Sequence, residues 1–209
     1  MKLVLLHPLP LDGSIWPTAR WGLADAVVAP TLCSIGASLK GWAEAAVDLA
    51  GSDDLVVVGN SVGGSCALEV ASLAPARVRS LVLVGAKAGV RPTPAFRDEA
   101  VRVLRHEGVD AAWDRYWAHL FAPDADPDTV EHARSIERSI PVEHHVNGVR
   151  AFHNRLDRAG LLAELDIPVA IVRGQHDTIP KNPEYLASTL RNGRFIEPRS
   201  TDPPLKSPP

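Results

Sequence analysis

Residues 55–64 read Leu-Val-Val-Val-Gly-Asn-Ser-Val-Gly-Gly, and a helix-compatible stretch continues from Ser65 to about Ala74. A run of apolar β-formers therefore leads into Gly-x-Ser-x-Gly, which predicts a strand, a tight turn that carries Ser61, and a helix. Glycine is needed two residues before and after the serine because larger side chains there would collide with the neighbouring strand and helix. The five-residue string also arises by chance, so the flanking strand and helix are what make Ser61 a candidate nucleophile.

Composition limits the class of protein. The 209 residues suffice for one sizeable domain with a small insertion, and 45% hydrophobic with 22% charged residues is ordinary for a globular protein. A net charge of −3 gives no electrostatic case for binding nucleic acid or an anionic membrane. The apolar start ends at His7 and Pro8, so it predicts a buried strand and not a signal peptide. Cys33 and Cys66 have no metal or redox spacing, and we expect a cytoplasmic protein without cofactor or metal.

Further apolar runs predict a parallel sheet. The predicted strands cover residues 2–6, 26–29, 55–58, 78–84, 167–172 and 194–196, and residues 40–50 have helical spacing. These runs are nearly continuous and do not alternate, which is typical of parallel strands covered on both faces by helices. The sequence therefore predicts an α/β fold with a doubly wound, mostly parallel sheet.

Residues 92–156 differ from the rest of the chain, since they carry clustered charge and helical periodicity without strand signals. We interpret them as a helical insertion that forms a lid over the strand ends. The rest of the chain, residues 1–91 and 157–209, would then form the α/β core.

The insertion also supplies candidates for a substrate pocket. Trp113 and Trp117 recur at helical spacing, which favours packing inside the lid and leaves open that they line an apolar pocket. His144 and His145 follow Pro141 and are further pocket candidates, although a solvated histidine is the commoner case for each.

The motifs, in their order, resemble the α/β-hydrolase superfamily, and within it the small esterase, lactonase and cofactor-free haloperoxidase-like branch. Residues 7–16, His-Pro-Leu-Pro-Leu-Asp-Gly-Ser-Ile-Trp, are similar to the oxyanion loop of that family, and residues 59–64 to its nucleophile turn. Residues 75–83 look like the approach to the next strand. Residues 167–177, Ile-Pro-Val-Ala-Ile-Val-Arg-Gly-Gln-His-Asp, resemble the strand that ends in the acid of the triad.

The resemblance implies a role for each matching residue. Ser61 would be the nucleophile, and Asp177 would be the carboxylate that orients a histidine. Leu9 and Val62 would donate the two backbone N–H groups of the oxyanion hole. Pro8 stands where the family usually has glycine, but the donor is the next residue, so the lack of an N–H on proline does not remove it.

The chain departs from the family pattern at the histidine. Residues 200–208 read Ser-Thr-Asp-Pro-Pro-Leu-Lys-Ser-Pro, which corresponds to Gly-His-x-Pro-Pro-Leu-x-x-Pro, so Thr201 occupies the histidine position. Threonine cannot accept and return a proton as imidazole does. The sequence also stops at Pro209, where the resemblance places a last helix. His176 is a weak substitute because the side chains of adjacent residues usually point in different directions.

Three functions stay open. The first is a serine hydrolase that cleaves a small ester, lactone or thioester through Ser61, impaired by the loss of the usual histidine unless another group acts as base. The second is a degenerate hydrolase that binds a small hydrophobic ligand or a partner without turnover, and the third is a lyase or cyclase on the same scaffold. We favour the hydrolase because three site elements survive together. We expect an apolar, ester-like small molecule as substrate, and a homodimer would cover the face left open by the absent helix.

Overall fold

A computed structural model describes residues 1–18, 26–89 and 93–198 of the chain. Six strands form one sheet in the order β2-β1-β3-β4-β5-β6, and every neighbouring pair is parallel. This arrangement confirms the predicted α/β fold class. The strands are β1 (Lys2–Leu6), β2 (Val27–Val28), β3 (Leu55–Asn60), β4 (Val78–Val84), β5 (Val169–Val172) and β6 (Gly193–Ile196).

The strand order reverses between β1 and β3. The chain first moves outward from β1 to β2, and then crosses back so that β3 to β6 extend on the other side. Ligands of open parallel sheets bind at the carboxyl ends of the strands at such a reversal. The residues that follow β1 and β3, which include Leu9 and Ser61, lie at this position.

Helices connect the strands. The described helices are α1 (Leu39–Leu49), α2 (Val62–Leu73), α3 (Pro94–His106), α4 (Val109–Ala112), α5 (Pro127–Ser139), α6 (Val142–His153), α7 (Ala159–Glu164) and α8 (Pro183–Ser188). The helices α3 to α7, with a π-helical turn at Trp113–Trp117, lie between β4 and β5 in the chain. Among the described residues, no helix has both the length and the apolar character to cross a membrane.

The buried apolar side chains form two clusters. The larger cluster surrounds the sheet and includes Trp42 of α1, Val57 of β3 and Cys66 of α2. The smaller one lies within the stretch from α3 to α6 and includes Leu104 and Trp113. The stretch between β4 and β5 therefore has an apolar core of its own.

Helix α6 joins this second core to the sheet. A Cβ at Gly148 would come within 2.4 Å of Leu9 Cδ2 and 3.0 Å of Cys33 Sγ, so the helix backbone packs directly on the loop after β1. The side-chain amide of Asn147 also donates a hydrogen bond to the Cys33 carbonyl oxygen at 3.3 Å. The middle of α6 is therefore held against the loop that follows β1, at the carboxyl edge of the sheet.

Candidate active site

Ser61 occupies a strained turn between β3 and α2. Its φ of 53° and ψ of −114° are unusual for a residue with a side chain. Two hydrogen bonds fix the turn, since the Ser61 N–H donates to the Val84 carbonyl oxygen at 2.8 Å and the Gly64 N–H donates to the Ser61 carbonyl oxygen at 3.0 Å. The strain lifts the serine side chain out of the sheet at the head of a helix.

The glycines around Ser61 are required by close backbone packing. A Cβ at Gly59 would lie 2.3 Å from the Gly63 carbonyl oxygen, and a Cβ at Gly63 would lie 2.1 Å from the Leu6 carbonyl oxygen. Neither oxygen belongs to a flexible side chain that could move away. The collision predicted from the sequence is therefore confirmed at both positions.

Two backbone amides beside Ser61 are free to bind a ligand. Leu9 and Val62 line the same cavity as Ser61. Within the described residues, neither of their N–H groups donates to a protein acceptor. Val62 also begins α2, where the helix dipole is positive. This pair of donors can stabilise negative charge on an oxygen bound next to the serine.

His7 holds the loop that carries Leu9. Its ring is fully buried, its Nε2 accepts a hydrogen bond from the Leu32 N–H at 2.8 Å, and its Nδ1 donates to the Pro8 carbonyl oxygen at 3.0 Å. Burial lowers the pKa of the His7 imidazole, although the hydrogen bond to Pro8 acts in the opposite direction. Both ring nitrogens are thus committed to the backbone, and His7 is a support for the loop.

A cavity of about 160 Å³ opens over Ser61 and is mainly apolar. Its walls come from the loop after β1, the amino-terminal end of α2, the helices α3 and α6, and the π-helical turn with the residues just after it. The lining residues are Leu9, Ser61, Val62, Phe96, Ala100, Leu104, Tyr116, Trp117, Leu120, Val149, Phe152 and His153. The shape and chemistry suit a small apolar acyl group.

Among the four pocket candidates from the sequence, Trp117 lines this cavity, whereas Trp113, His144 and His145 are not among the lining residues. Trp113 packs against Phe121 in the second core, with ring centroids 5.5 Å apart. His145 is buried behind Trp117, and its Nε2 lies 3.0 Å from the carbonyl oxygen of Glu137.

Asp177 lies at the same edge of the sheet, after β5. One carboxylate oxygen accepts a hydrogen bond from the Ile179 N–H at 2.8 Å. The other packs against Gly85, where an added Cβ would lie 2.7 Å from Asp177 Oδ2 and 3.9 Å from Asn60 Oδ1. The side chains of Asp177 and Asn60 therefore both border the space beside Gly85.

No histidine ring within residues 1–18, 26–89 and 93–198 hydrogen-bonds to the Asp177 carboxylate. The neighbouring His176 instead places its Nε2 3.8 Å from Asp124 Oδ1, in the segment before α5. Thr201, which occupies the histidine position of the motif, lies outside the described residues.

His153 lines the cavity but was not among the pocket residues predicted from the sequence. Within the described chain it is the one histidine that lines the Ser61 cavity, and together with Phe152 it also lines a neighbouring cavity of about 720 Å³. The available sequence signal was its spacing of four residues from Val149, which places both on one helical face. Burial lowers the pKa of the His153 imidazole, with a smaller contribution from nearby positive charges.

Comparisons with known proteins agree with this architecture. The family model described as alpha/beta hydrolase fold matches residues 31–197. A curated relative from Azorhizobium caulinodans, named "Putative carbamate hydrolase RutD", is 28% identical over 155 residues, which are 70% of this chain and 57% of that protein. This chain therefore spans little more than half the length of that relative.

Two solved structures have the same fold. A thermophilic esterase from Thermogutta terrifontis superposes with a TM-score of 0.81 at 25% identity, covering 95% of this chain and 80% of the esterase. The enol-lactonase from Burkholderia xenovorans superposes with a TM-score of 0.81 at 18% identity, covering 94% of this chain and 82% of the lactonase.

Proposed function

Because the chain belongs to the α/β-hydrolase fold family, we propose that it is a serine hydrolase that cleaves a small apolar ester, lactone or thioester through Ser61. One observation carries the proposal. Ser61 stands in a positive-φ turn and lines a cavity together with Leu9 and Val62, whose backbone N–H groups donate to no acceptor within the described residues. A candidate nucleophile and two candidate oxyanion donors therefore border the same small volume.

The proposed reaction uses these groups in turn. The Ser61 hydroxyl oxygen attacks the acyl carbon, and the Leu9 and Val62 amides stabilise the negative oxygen of the tetrahedral intermediate. The proton of the Ser61 hydroxyl passes to the leaving group, which departs as an alcohol or thiol. Water then hydrolyses the acyl-enzyme, which releases a carboxylic acid and returns a proton to Ser61. Asp177 is the carboxylate of the proposed site.

The walls of the cavity support a small and apolar acyl group. A volume of about 160 Å³, bounded by side chains such as Leu104, Trp117 and Val149, has few polar atoms with which to bind a charged group. The similar proteins are named as an esterase, an enol-lactonase and a carbamate hydrolase. Esters, lactones and carbamates all contain an acyl carbon bonded to a heteroatom, which fits attack by a serine.

The test is covalent labelling with a fluorophosphonate probe, followed by mass spectrometry of the labelled peptide. We expect the label on Ser61, together with hydrolysis of p-nitrophenyl acetate or butyrate. Both should be lost in Ser61→Ala and kept in Ser188→Ala, which removes an exposed hydroxyl on α8. Ester hydrolysis that survives Ser61→Ala would contradict the proposal.

Binding without turnover is the second candidate. It is favoured by the Ser61 hydroxyl, which is not hydrogen-bonded to a base within the described residues. This function would give no label on Ser61 and no hydrolysis, while a small apolar ester would bind equally well to the native chain and to Ser61→Ala.

A further inference from the structure

Building on the proposed hydrolase function, we propose that His153 is the general base that accepts the Ser61 proton. The position where the sequence motif places a histidine holds Thr201, which cannot act as the base, so another group has to take the proton if the serine reacts. His153 belongs to α6, at the end of the stretch between β4 and β5, and not to the loop after the last strand.

The position of His153 supports this assignment. Ser61 and His153 line the same cavity of about 160 Å³, and the other described histidines are absent from its walls. No hydrogen bond joins the Ser61 hydroxyl to His153 within the described chain. The shared cavity of about 160 Å³ can hold a water molecule, and a general base can act through one bridging water.

The orientation of the His153 ring also supports the assignment. His153 Nδ1 lies 3.3 Å from the Thr93 hydroxyl oxygen. When Nδ1–H donates to this oxygen, the lone pair on Nε2 is left to accept a proton, as in a serine hydrolase where a carboxylate does the orienting. The rings of Phe96 and Phe152 both pack against the imidazole, and the centroid of each lies 5.2 Å from the centroid of the His153 ring. The ring is therefore fixed by one polar and two aromatic contacts.

The protonation state of the His153 imidazole suits a general base as well. Burial is the main cause that lowers the pKa of His153 from its ordinary value of 6.5, and the positive charges of Arg155, Arg97 and Lys87 lower it further. These groups come from the segment after α6, from α3 and from the loop after β4. The imidazole is thus neutral at pH 7 and can accept a proton.

The chemical step balances without any further reactant. The Ser61 Oγ–H bond breaks as Oγ bonds to the acyl carbon, and the proton passes through the water to His153 Nε2. The imidazolium then returns this proton to the departing alcohol or thiol as the acyl bond to it breaks. In deacylation a water molecule takes the place of the serine, and the regenerated Ser61 receives the proton.

The experiment compares rates of fluorophosphonate labelling at Ser61 in the native chain, His153→Asn and His144→Asn, with the unfolding midpoint of each measured alongside. His144→Asn is the matched control, since it lies on the same helix but outside the cavity. We expect labelling to slow at least ~100-fold in His153→Asn and to stay within ~2-fold of native in His144→Asn. In the native chain the rate should rise with pH to a plateau, with a midpoint below 6.5, and this step should vanish in His153→Asn.

A chemical rescue separates catalysis from packing. Imidazole added to His153→Ala should restore labelling at least ~10-fold, which a loss of structure would not allow. If the native chain labels at Ser61 and His153→Asn labels equally fast, the assignment of His153 is overturned while the hydrolase proposal stands. If the native chain does not label at Ser61 at all, both proposals fall together.

Discussion

Gly63 is the position where one added carbon should do the most damage. It is a helical residue of α2, and its missing Cβ would sit 2.1 Å from the Leu6 carbonyl oxygen and 2.8 Å from that of His7. Leu6 is paired with β3 across the centre of the sheet, so it cannot shift without breaking strand pairing. We expect Gly63→Ala to lower the free energy of unfolding by about 3 kcal/mol, measured by urea titration.

Gly160 provides the matched control for this substitution. It is also a helical glycine, in α7, and a Cβ there would meet nothing within 4 Å. Alanine has the higher helix propensity, so Gly160→Ala should raise stability by up to about 1 kcal/mol. Equal effects at the two glycines would show that helix propensity, and not backbone collision, governs Gly63.

Asp177 distinguishes two possible proton relays. In a relay where this carboxylate orients the catalytic histidine, its loss costs about 10⁴-fold in rate. If Thr93 orients His153 instead, Asp177→Asn keeps the relay and also keeps an oxygen that can accept from the Ile179 N–H. We therefore expect Asp177→Asn to slow Ser61 labelling by less than about 10-fold, because only the local field changes. Labelling as slow as in His153→Asn would contradict this expectation.

At the scale of elements, α7 is attached to α2 by one buried ion pair. Arg158 donates two hydrogen bonds to the Glu69 carboxylate, at 2.8 and 2.7 Å, and the Glu69 side chain is only 5% exposed. This contact raises the pKa of the Arg158 guanidinium. Because α2 also presents Ser61, the pair supports the helix behind the proposed nucleophile.

Removing one partner should be costly. Arg158→Met leaves the Glu69 carboxylate buried without its counter-charge, so we expect a loss of about 3 kcal/mol in the free energy of unfolding, read from denaturant titration. The surface pair of Arg79 with Asp54 has a similar separation, 2.9 Å, but is largely exposed, and Arg79→Met should cost less than about 1 kcal/mol. A double variant, Glu69→Leu with Arg158→Met, should regain part of the loss, and a further decline would argue against the buried charge as the cause.

The sequence predicted strands well where the apolar run alone defines them. The strand at 78–84 matches β4 at both ends. Elsewhere the neighbours decide the boundary, since Gly59 and Asn60 extend β3 by pairing with Leu83 and Val84 although neither is a β-former. The strand predicted at 167–172 starts too early, because Pro168 has no N–H group to donate to a neighbouring strand and β5 begins only at Val169.

The site was predictable only in its local part. Ser61 and Val62 belong to one motif, and the reversal of strand order brings the loop with Leu9 beside them. His153 arrives by packing of α6 on that loop through Gly148, a contact between segments far apart in the chain. No local spacing in the sequence encodes such a contact. The sequence therefore indicated His144 and His145 of the same helix as pocket residues, and not His153.

At the scale of the whole molecule, a buried acid, Glu137, lies behind the residues that cover the cavity. Glu137 of α5 is fully buried, and neither of its carboxylate oxygens has a hydrogen-bond partner among the residues that the structure describes. Its backbone oxygen lies 3.0 Å from His145 Nε2, the His145 ring packs on Trp117, and Trp117 lines the cavity over Ser61. Burial raises the pKa of Glu137 from 4.5 to about 7, and the nearby Asp110 adds to the effect against the opposing charges of Arg138 and Arg134.

This raised pKa makes the stability of the protein depend on pH. Below pH 4.5 the carboxyl is neutral in both states, whereas between pH 4.5 and 7 only the unfolded chain has released the proton, so stability falls as pH rises through this window. The loss should approach about 3 kcal/mol above pH 7. Glu137→Gln should therefore unfold at a higher denaturant concentration than the native chain at pH 8, with the difference vanishing near pH 4. Glu131→Gln, an exposed position on the same helix, should leave the native pH dependence unchanged. A Glu137→Gln chain as sensitive to pH as the native one would show that Glu137 is charged and compensated in the folded state.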